Sequence, residues 1–394
     1  MAAVPPSGLL GLPSVDSSLK TARFAAVKRS LGLAAFDGER HGVGCGKDSV
    51  ACRRRVTCAA ASPLPSPAPA MPSSRKDPSW RSKQGETIVQ PGGAEPSVRV
   101  PRGIEDISNG DHILGFGADL SPDHPGYHDE EYKRRRAYIA DIAKLHQVGT
   151  PIPRVQYSDE ETAVWGTVLT ALQHLYPTHA CSTFLYSLPL FAFSPLAIPQ
   201  LQDVSDVLHA HTGWRIRPVA GLLHPRDFLN GLAFKYFHST QYIRHGSNPM
   251  YTPEPDVCHE LLGHVPMLAD PAFSALAHAL GQASLGASDK DIWHLTKLYW
   301  YTVEFGVLME GGEVRAFGAG LLSSYGELAY MRSGADGRYP LFAALDPLGA
   351  LPRMSYKDGF QRSYFLCHGF HDLAAKLHRY AAAMAARTRA GGAH

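Results

Sequence analysis

Long apolar runs, surplus charge of one sign, short repeats and a cysteine framework are all missing from this chain of 394 residues, and each absence removes a class of protein. The richest apolar stretch, Thr183 to Pro199, is broken by prolines and serines. It falls short of the roughly eighteen apolar residues that a membrane-spanning helix needs, so no spanning segment is expected. Lys and Arg number 38 against 36 Asp and Glu, a near balance that argues against a dedicated nucleic-acid surface. No unit of about 20 to 50 residues recurs, and neither GxGxxG nor the GxxxxGK phosphate loop is present, so solenoids and the common nucleotide folds drop out. The six cysteines make no CxxC pair. Cys45, Cys52 and Cys58 sit near the amino terminus, while Cys181, Cys258 and Cys367 stand at wide, unrelated spacings. A reducing compartment is implied, with the last three serving as small hydrophobes.

What is present suffices for a globular protein. Side chains are 44% hydrophobic and 10% aromatic, enough for a core of one or two domains. Charge is unevenly placed: residues 1–72 carry nine Lys and Arg against four Asp and Glu, and the remainder carries 29 against 32. The basic segment is rich in Ala, Ser and Pro and contains Arg53-Arg54-Arg55 before the small-residue patch Val56 to Ala61. Without a compact apolar stretch, this composition reads as an organelle transit peptide over residues 1–60 rather than a secretion signal, with the chloroplast as destination and the mitochondrion as alternative. Five prolines among residues 61–72 begin an extended linker drawn over 61–103, leaving 104–390 as one globular domain.

That domain reads as mostly helical with minor strands. Glu130 to His146 places Tyr138, Ile142 and Leu145 on one face. Ser158-Asp-Glu-Glu161 is a capping signature for the helix carrying Trp165, Val168, Leu169 and Leu172, which Pro177 is expected to end. Ile198 to Leu208 predicts a short amphipathic helix, and Trp214 to Val219 a strand with apolar and basic residues alternating. Pro271 opens a further helix, Ile292 to Met309 reads as the longest one, and another runs from Gly369 to Ala386.

Chemistry concentrates in residues 237–327. Pro253-Glu-Pro-Asp-Val-Cys-His259-Glu-Leu-Leu-Gly-His264 packs two imidazoles and several carboxylates into twelve positions. It resembles the zinc-protease pattern HExxH, but the histidines are five apart, not four. At about 100° per residue the second lies about 140° round an α-helix, so both reach one ion only where the helix distorts, and Gly263 offers a place for that. Glu304 lies in Leu298-Tyr-Trp-Tyr-Thr-Val-Glu-Phe-Gly-Val-Leu-Met309, apolar almost all round, where a buried carboxylate needs a cationic partner. Two histidines and a carboxylate form the facial triad of non-haem Fe(II), with positions left open for O2 chemistry. The alternatives are core histidines with Glu304 paired to Arg244, a zinc hydrolase, or a metal-stabilised binding protein without activity.

The strings PIPRVQYSDEETAVWGTVLTALQHLYPTHAC, IPQLQDVSDVL, RPVAGLLHPRDFLNGLAFKYFHSTQYIRHGSNPMYTPEPDVCHELLGHVPMLADP, YWYTVEFG and FGAGLLSSYGEL resemble the aromatic amino acid hydroxylases, with coverage from about Asp111 to Tyr380. The resemblance implies a mainly α catalytic-domain fold with a deep cleft. It also implies hydroxylation of an aromatic ring with Fe(II), O2 and a tetrahydropterin, and iron held by His259, His264 and Glu304. Tetrahydrobiopterin, another tetrahydropterin or a reduced folate such as 10-formyltetrahydrofolate would be the cosubstrate. Phe228 would stack on the pterin beside the backbone of Gly221, Leu222 and Leu223, with Glu260 and Tyr299 completing the cosubstrate site. Arg244 would clamp the substrate carboxylate, oriented by Asp256 and helped by Thr252 and Ser323, while His238, Pro255 and Trp300 would line the slot for the ring.

His238 and Gly246-Ser247 resemble the members that oxidise phenylalanine to tyrosine. Asp358 stands near where the tyrosine-oxidising members carry an acid, leaving tyrosine or tryptophan as alternative substrates. The expected partners are therefore small molecules, with no nucleic acid and no membrane. Neither the family's amino-terminal regulatory domain nor its heptad-patterned tail is legible, so a monomer or weak dimer is expected.

Overall fold

The computed structural model describes residues 100–108, 110, 112–115, 120–335, 337–354 and 359–391, with side chains as far as Arg387. The expected transit peptide, most of the linker and Asp358 lie outside the described residues.

Local signals account for most helix boundaries. Ser158 caps Asp159–His179 with a complete capping box, its hydroxyl accepting from the Glu161 N–H while Glu161 reaches back to the Ser158 N–H. Trp165, Val168, Leu169 and Leu172 of this helix are buried, as expected. Pro177 does not end it. The proline falls in the last turn, where the missing N–H costs one bond, and its carbonyl is taken up by the Arg315 guanidinium. The helix predicted from Ile198 begins at Leu201, three residues later, and ends on Gly213. Asp270 caps Pro271–Ser284 by accepting from the N–H groups of Ala272 and Phe273.

Two further helix expectations fail for identifiable reasons. In Glu130–Leu145 the buried stripe is Arg136, Ile139, Ala140 and Ala143, whereas Tyr138 and Leu145 are 58% and 80% exposed. Arg136 sets the rotation: its guanidinium bonds the buried Glu254 and lies 3.7 Å from the Tyr242 ring centroid. A sequence pattern that counts arginine as polar misses this i, i+3, i+4, i+7 set. The run Ile292 to Met309 is not one helix. It divides into an α-helix Asp289–Tyr299, a π-helical turn Trp300–Glu304 and a strand Val307–Glu310. Backbone pairing of the strand with Glu313–Ala316 captures the last part. Among the described residues the longest helices are Asp159–His179 and Phe370–Gly391, with 21 and 22 residues.

Strands are few, as the mainly α reading requires. Val307–Glu310 lies between Glu313–Ala316, antiparallel, and Ser363–Cys367, parallel, and the latter pairs in turn with Leu341–Ala344. The predicted strand appears as Arg215–Pro218, parallel to Tyr236–Ser239. Its alternation fails at Arg217, which is buried because its guanidinium binds the carbonyls of Ile104 and Ile107. A third, short pair joins Ile113–Gly115 to Leu222–Leu223. One large apolar cluster, including Trp165, Trp214, Phe273 and Phe317, fills the interior, and Cys181, Cys258 and Cys367 are free and buried within it. No described helix is long and apolar enough to cross a membrane.

The helix Pro225–Leu232, which carries Phe228, rests on Pro271–Ser284 through Gly281. A Cβ there would come within 2.2 Å of the Ala233 nitrogen and 2.4 Å of the Leu232 carbonyl carbon. Gly281→Ala must push the two helices apart, so it should destabilise the protein by about 1–3 kcal/mol in chemical unfolding. Wild-type stability in that variant would show that the contact yields freely.

Candidate active site

The two histidines sit on a turn that is wound as a π-helix over His259–His264. This i→i+5 winding brings residues five apart onto one face, which an α-helix does not do. The distortion lies where the histidine spacing calls for it, but Gly263 serves a different purpose from the expected one. Gly263 is needed because the turn packs closely on Ala319, whose carbonyl oxygen and Cβ would lie 2.7 and 2.9 Å from an added Cβ. A second π-turn, Trp300–Glu304, ends with the Phe305 N–H donating to the Trp300 carbonyl at 2.9 Å and delivers Glu304 opposite the histidines.

The Nε2 atoms of His259 and His264 are 3.1 Å apart. Glu304 Oε1 lies 3.1 Å from His264 Nε2, and Oε2 lies 3.5 Å from His259 Nε2. Ser323 fixes the tautomer of one ring. Its hydroxyl donates to the Ala319 carbonyl at 2.7 Å and therefore accepts from His259 Nδ1–H at 2.9 Å, which leaves a lone pair on Nε2. Burial pushes His259 down to about 4, so the ring is neutral at pH 7. Burial pulls the Glu304 carboxyl up, but the facing His264 and His259 imidazoles outweigh it and hold the group below its ordinary value. A neutral imidazole lone pair and a carboxylate converging this closely are suited to hold a cation between them. Ligand atoms about 2.1 Å from a shared ion and at right angles to one another stand about 3.0 Å apart, close to the separations found here. The donor set of two nitrogens and a carboxylate, with one side open, suits iron(II) better than a closed structural zinc.

Asp256 connects this cluster to Arg244. Fully buried, it accepts from the Arg244 backbone N–H at 2.8 Å, from Arg244 Nε and Nη2 at 2.9 and 2.8 Å, and from the His259 N–H at 3.0 Å. The Arg244 guanidinium and these backbone donors overcome burial and keep the Asp256 carboxyl below its ordinary range. Arg244 Nη1 also donates to the Pro249 carbonyl at 3.2 Å. Of the five guanidinium N–H groups, two remain, one on each terminal nitrogen. Glu304 is therefore not the partner of Arg244.

Of the other sequence-predicted residues, Phe228 and Tyr299 are linked to the cluster by ring contacts and Glu260 follows His259 in the chain. The Phe228 ring stands edge-on to Tyr299 at 5.1 Å, and Tyr299 stacks on His264 at 6.3 Å. Burial first, then the Glu304 charge, push the Tyr299 phenol well above its ordinary value. Glu260, also buried, is raised well above the carboxylate range by burial and by Glu304, with Thr240 its nearest donor at 3.4 Å. Leu222 is exposed between the buried Gly221 and Leu223. Pro255 is half-buried, its carbonyl taken by Thr240, and Thr252 donates to the Glu254 carbonyl at 3.2 Å. His238 is 2% exposed, and burial, reinforced by Arg217, pushes it down to about 3. Trp300 opens the turn that ends on Glu304. Ser323, expected beside the substrate carboxylate, touches the metal-site histidine His259. Sequence reasoning overlooked Thr240 beside Glu260 and the second function of Asp256; a buried carboxylate three positions before His259 was the available signal.

Residues 98–389 match the family model for biopterin-dependent aromatic amino acid hydroxylases. The chloroplastic phenylalanine 4-monooxygenase of Physcomitrium patens is 70% identical over 281 residues, 71% of each chain. That of Pinus taeda is 67% identical over 72% of this chain and 78% of its own. Among solved structures, phenylalanine hydroxylase of Chromobacterium violaceum with bound iron(III) and oxidised 7,8-dihydrobiopterin matches at 33% identity and a TM-score of 0.53, covering 57% of this chain and 82% of that one.

Ser323→Ala removes the acceptor that orients His259 without replacing any of the three residues of the cluster. Fe(II) affinity, titrated anaerobically into metal-free protein, should fall about 10- to 100-fold. An unchanged affinity would mean that the backbone alone orients the ring.

Proposed function

Because the chain belongs to the biopterin-dependent aromatic amino acid hydroxylases, we propose that its substrate is L-phenylalanine, oxidised at the ring to L-tyrosine. The observation that carries the reading is the convergence of His259, His264 and Glu304 beside a buried arginine with two free N–H groups. Bound Fe(II) and a tetrahydropterin supply the activation of O2. The protein's own residues provide position and exclude water.

Arg244 takes the substrate carboxylate on the two N–H groups that Asp256 and Pro249 leave over, and Asp256 keeps the fork from rotating. Because Asp256 also holds the His259 backbone, the clamp and the metal are registered to one another through a single carboxylate. His238, neutral at physiological pH, lines the slot for the aromatic ring with Pro255 and Trp300, so no charge is buried against it. Phe228 and the backbone of Gly221 to Leu223 face the pterin. Glu260, buried beside the metal-site histidine His259 with Thr240 as its nearest donor, offers its carboxyl group to the pterin directly or through water. Tyr299 packs between Phe228 and His264 and joins the two halves of the site.

A tetrahydropterin is the reductant. A reduced folate carries the same ring system, and exchanging one for the other in the same assay separates them. The basic amino-terminal segment and the relatives named chloroplastic support a plastid location.

Two measurements test the assignment. With Fe(II) and tetrahydropterin supplied, equal concentrations of phenylalanine, tyrosine and tryptophan should yield mostly tyrosine formed from phenylalanine. A majority of dihydroxyphenylalanine formed directly from tyrosine would overturn the substrate reading and implicate Asp358. Arg244→Lys keeps the charge but loses the planar fork, so apparent affinity for phenylalanine should fall by about 1.5–3 kcal/mol. An unchanged KM would confine Arg244 to holding the fold.

A further inference from the structure

Glu327 lies on the helix Tyr325–Ser333, four residues beyond the serine that orients His259. Its carboxylate is 7% exposed and held by two neutral donors: one oxygen accepts from the Gln361 backbone N–H at 2.8 Å and from the Tyr364 hydroxyl at 3.0 Å. Burial pushes the group up to about 7. A carboxylate retained under these conditions costs stability unless its hydrogen bonds hold something in place. What they hold is Gln361. That residue is 4% exposed, and its side-chain oxygen accepts from the Trp300 indole N–H at 3.3 Å; indole is a donor only, which fixes the amide orientation. The preceding Phe360 packs its ring 5.3 Å from that of Tyr330, on the same helix as Glu327. Trp300 in turn opens the π-turn that presents Glu304.

We propose that Glu327 is a positioning residue for the amino-acid slot: by holding the backbone of Gln361 it sets the indole of Trp300, and through it the fit of the substrate ring. The inference rests on the reading that Trp300 lines that slot. The partners of Glu327 are Ser324, Gln361 and Tyr364, none of them assigned to the metal or the pterin, so its influence falls on the amino acid selectively. Removing its carboxylate leaves the Gln361 N–H and the Tyr364 hydroxyl without their acceptor in the interior, and the segment carrying Gln361 shifts away from the indole.

The test is steady-state kinetics on the iron-loaded full chain, with amino acid and tetrahydropterin varied separately. Glu327→Ala should raise KM for phenylalanine about ten-fold while iron content and KM for the pterin stay within about two-fold, and less of the pterin oxidised should be coupled to tyrosine. Glu327→Gln keeps an amide oxygen that accepts both bonds, so it should restore KM to within about two-fold of wild type. Gln361→Met keeps the backbone N–H but removes the side-chain oxygen that the indole meets, and should reproduce the rise; the double variant with Glu327→Ala should go little further, because both loosen the same contact.

A folded Glu327→Ala protein with unchanged KM for the amino acid overturns the proposal, as does a KM that rises equally for amino acid and pterin. If Glu327→Ala fails to fold, Gln361→Met decides, and an unchanged KM there is equally fatal. Should the wild-type protein hydroxylate another aromatic amino acid, the phenylalanine reading falls, while the same comparison on that substrate still decides the role of Glu327.

Discussion

One turn of π-winding governs the rest of this structure. His259 and His264 are five residues apart, a spacing that an α-helix sends to different faces, and only the i→i+5 turn aims both Nε2 atoms at one point. A second π-turn supplies Glu304 from the opposite side. Both windings leave the regular helical ladder and are held by packing: the first against Ala319, the second by the Phe305 N–H closing onto Trp300 and by the strand that follows. Irregular helix is thus concentrated where three donors must converge, and the regular helices around it serve as a frame.

The site is also economical in its connections. Asp256 joins an arginine to the backbone of a metal-site histidine, so misplacing one group misplaces the other. Breaking such a buried pair by removing one partner costs about 3–5 kcal/mol, because the remaining charge is left without compensation. The segment from Ala319 to Ser333 makes a second set of connections. Ala319 accepts the Ser323 hydroxyl, Ser323 orients His259, and Glu327 reaches the Gln361 segment. The stretch from His238 to His264, the π-turn that ends on Glu304 and the segment from Ala319 to Ser333 are thus locked together by a few buried polar contacts as well as by apolar packing.

Much of this was legible in the sequence because its signals are local. The capping box at Ser158, the proline opening at Pro271 and the His-x4-His spacing each predict structure from a few neighbouring residues, and the metal-site residues stood out because imidazoles and a carboxylate in apolar surroundings need a partner. What escaped depends on distant partners. Arg136 rotates its helix because Glu254 and Tyr242 await it, and Ser323 serves His259 from 64 positions away. The split of Ile292 to Met309 into helix, π-turn and strand escaped as well, since an apolar run looks the same in all three and the choice is made by backbone pairing with Glu313–Ala316.

The central claim is that His259, His264 and Glu304 hold one iron on a single face, leaving the opposite face open. X-ray absorption at the iron edge of protein loaded anaerobically with equimolar Fe(II) tests it most directly. The account predicts a six-coordinate ion with two imidazole ligands and oxygen donors, and loss of one imidazole contribution in His264→Ala. A four-coordinate centre, a sulfur ligand, or a spectrum unchanged by His264→Ala would contradict it.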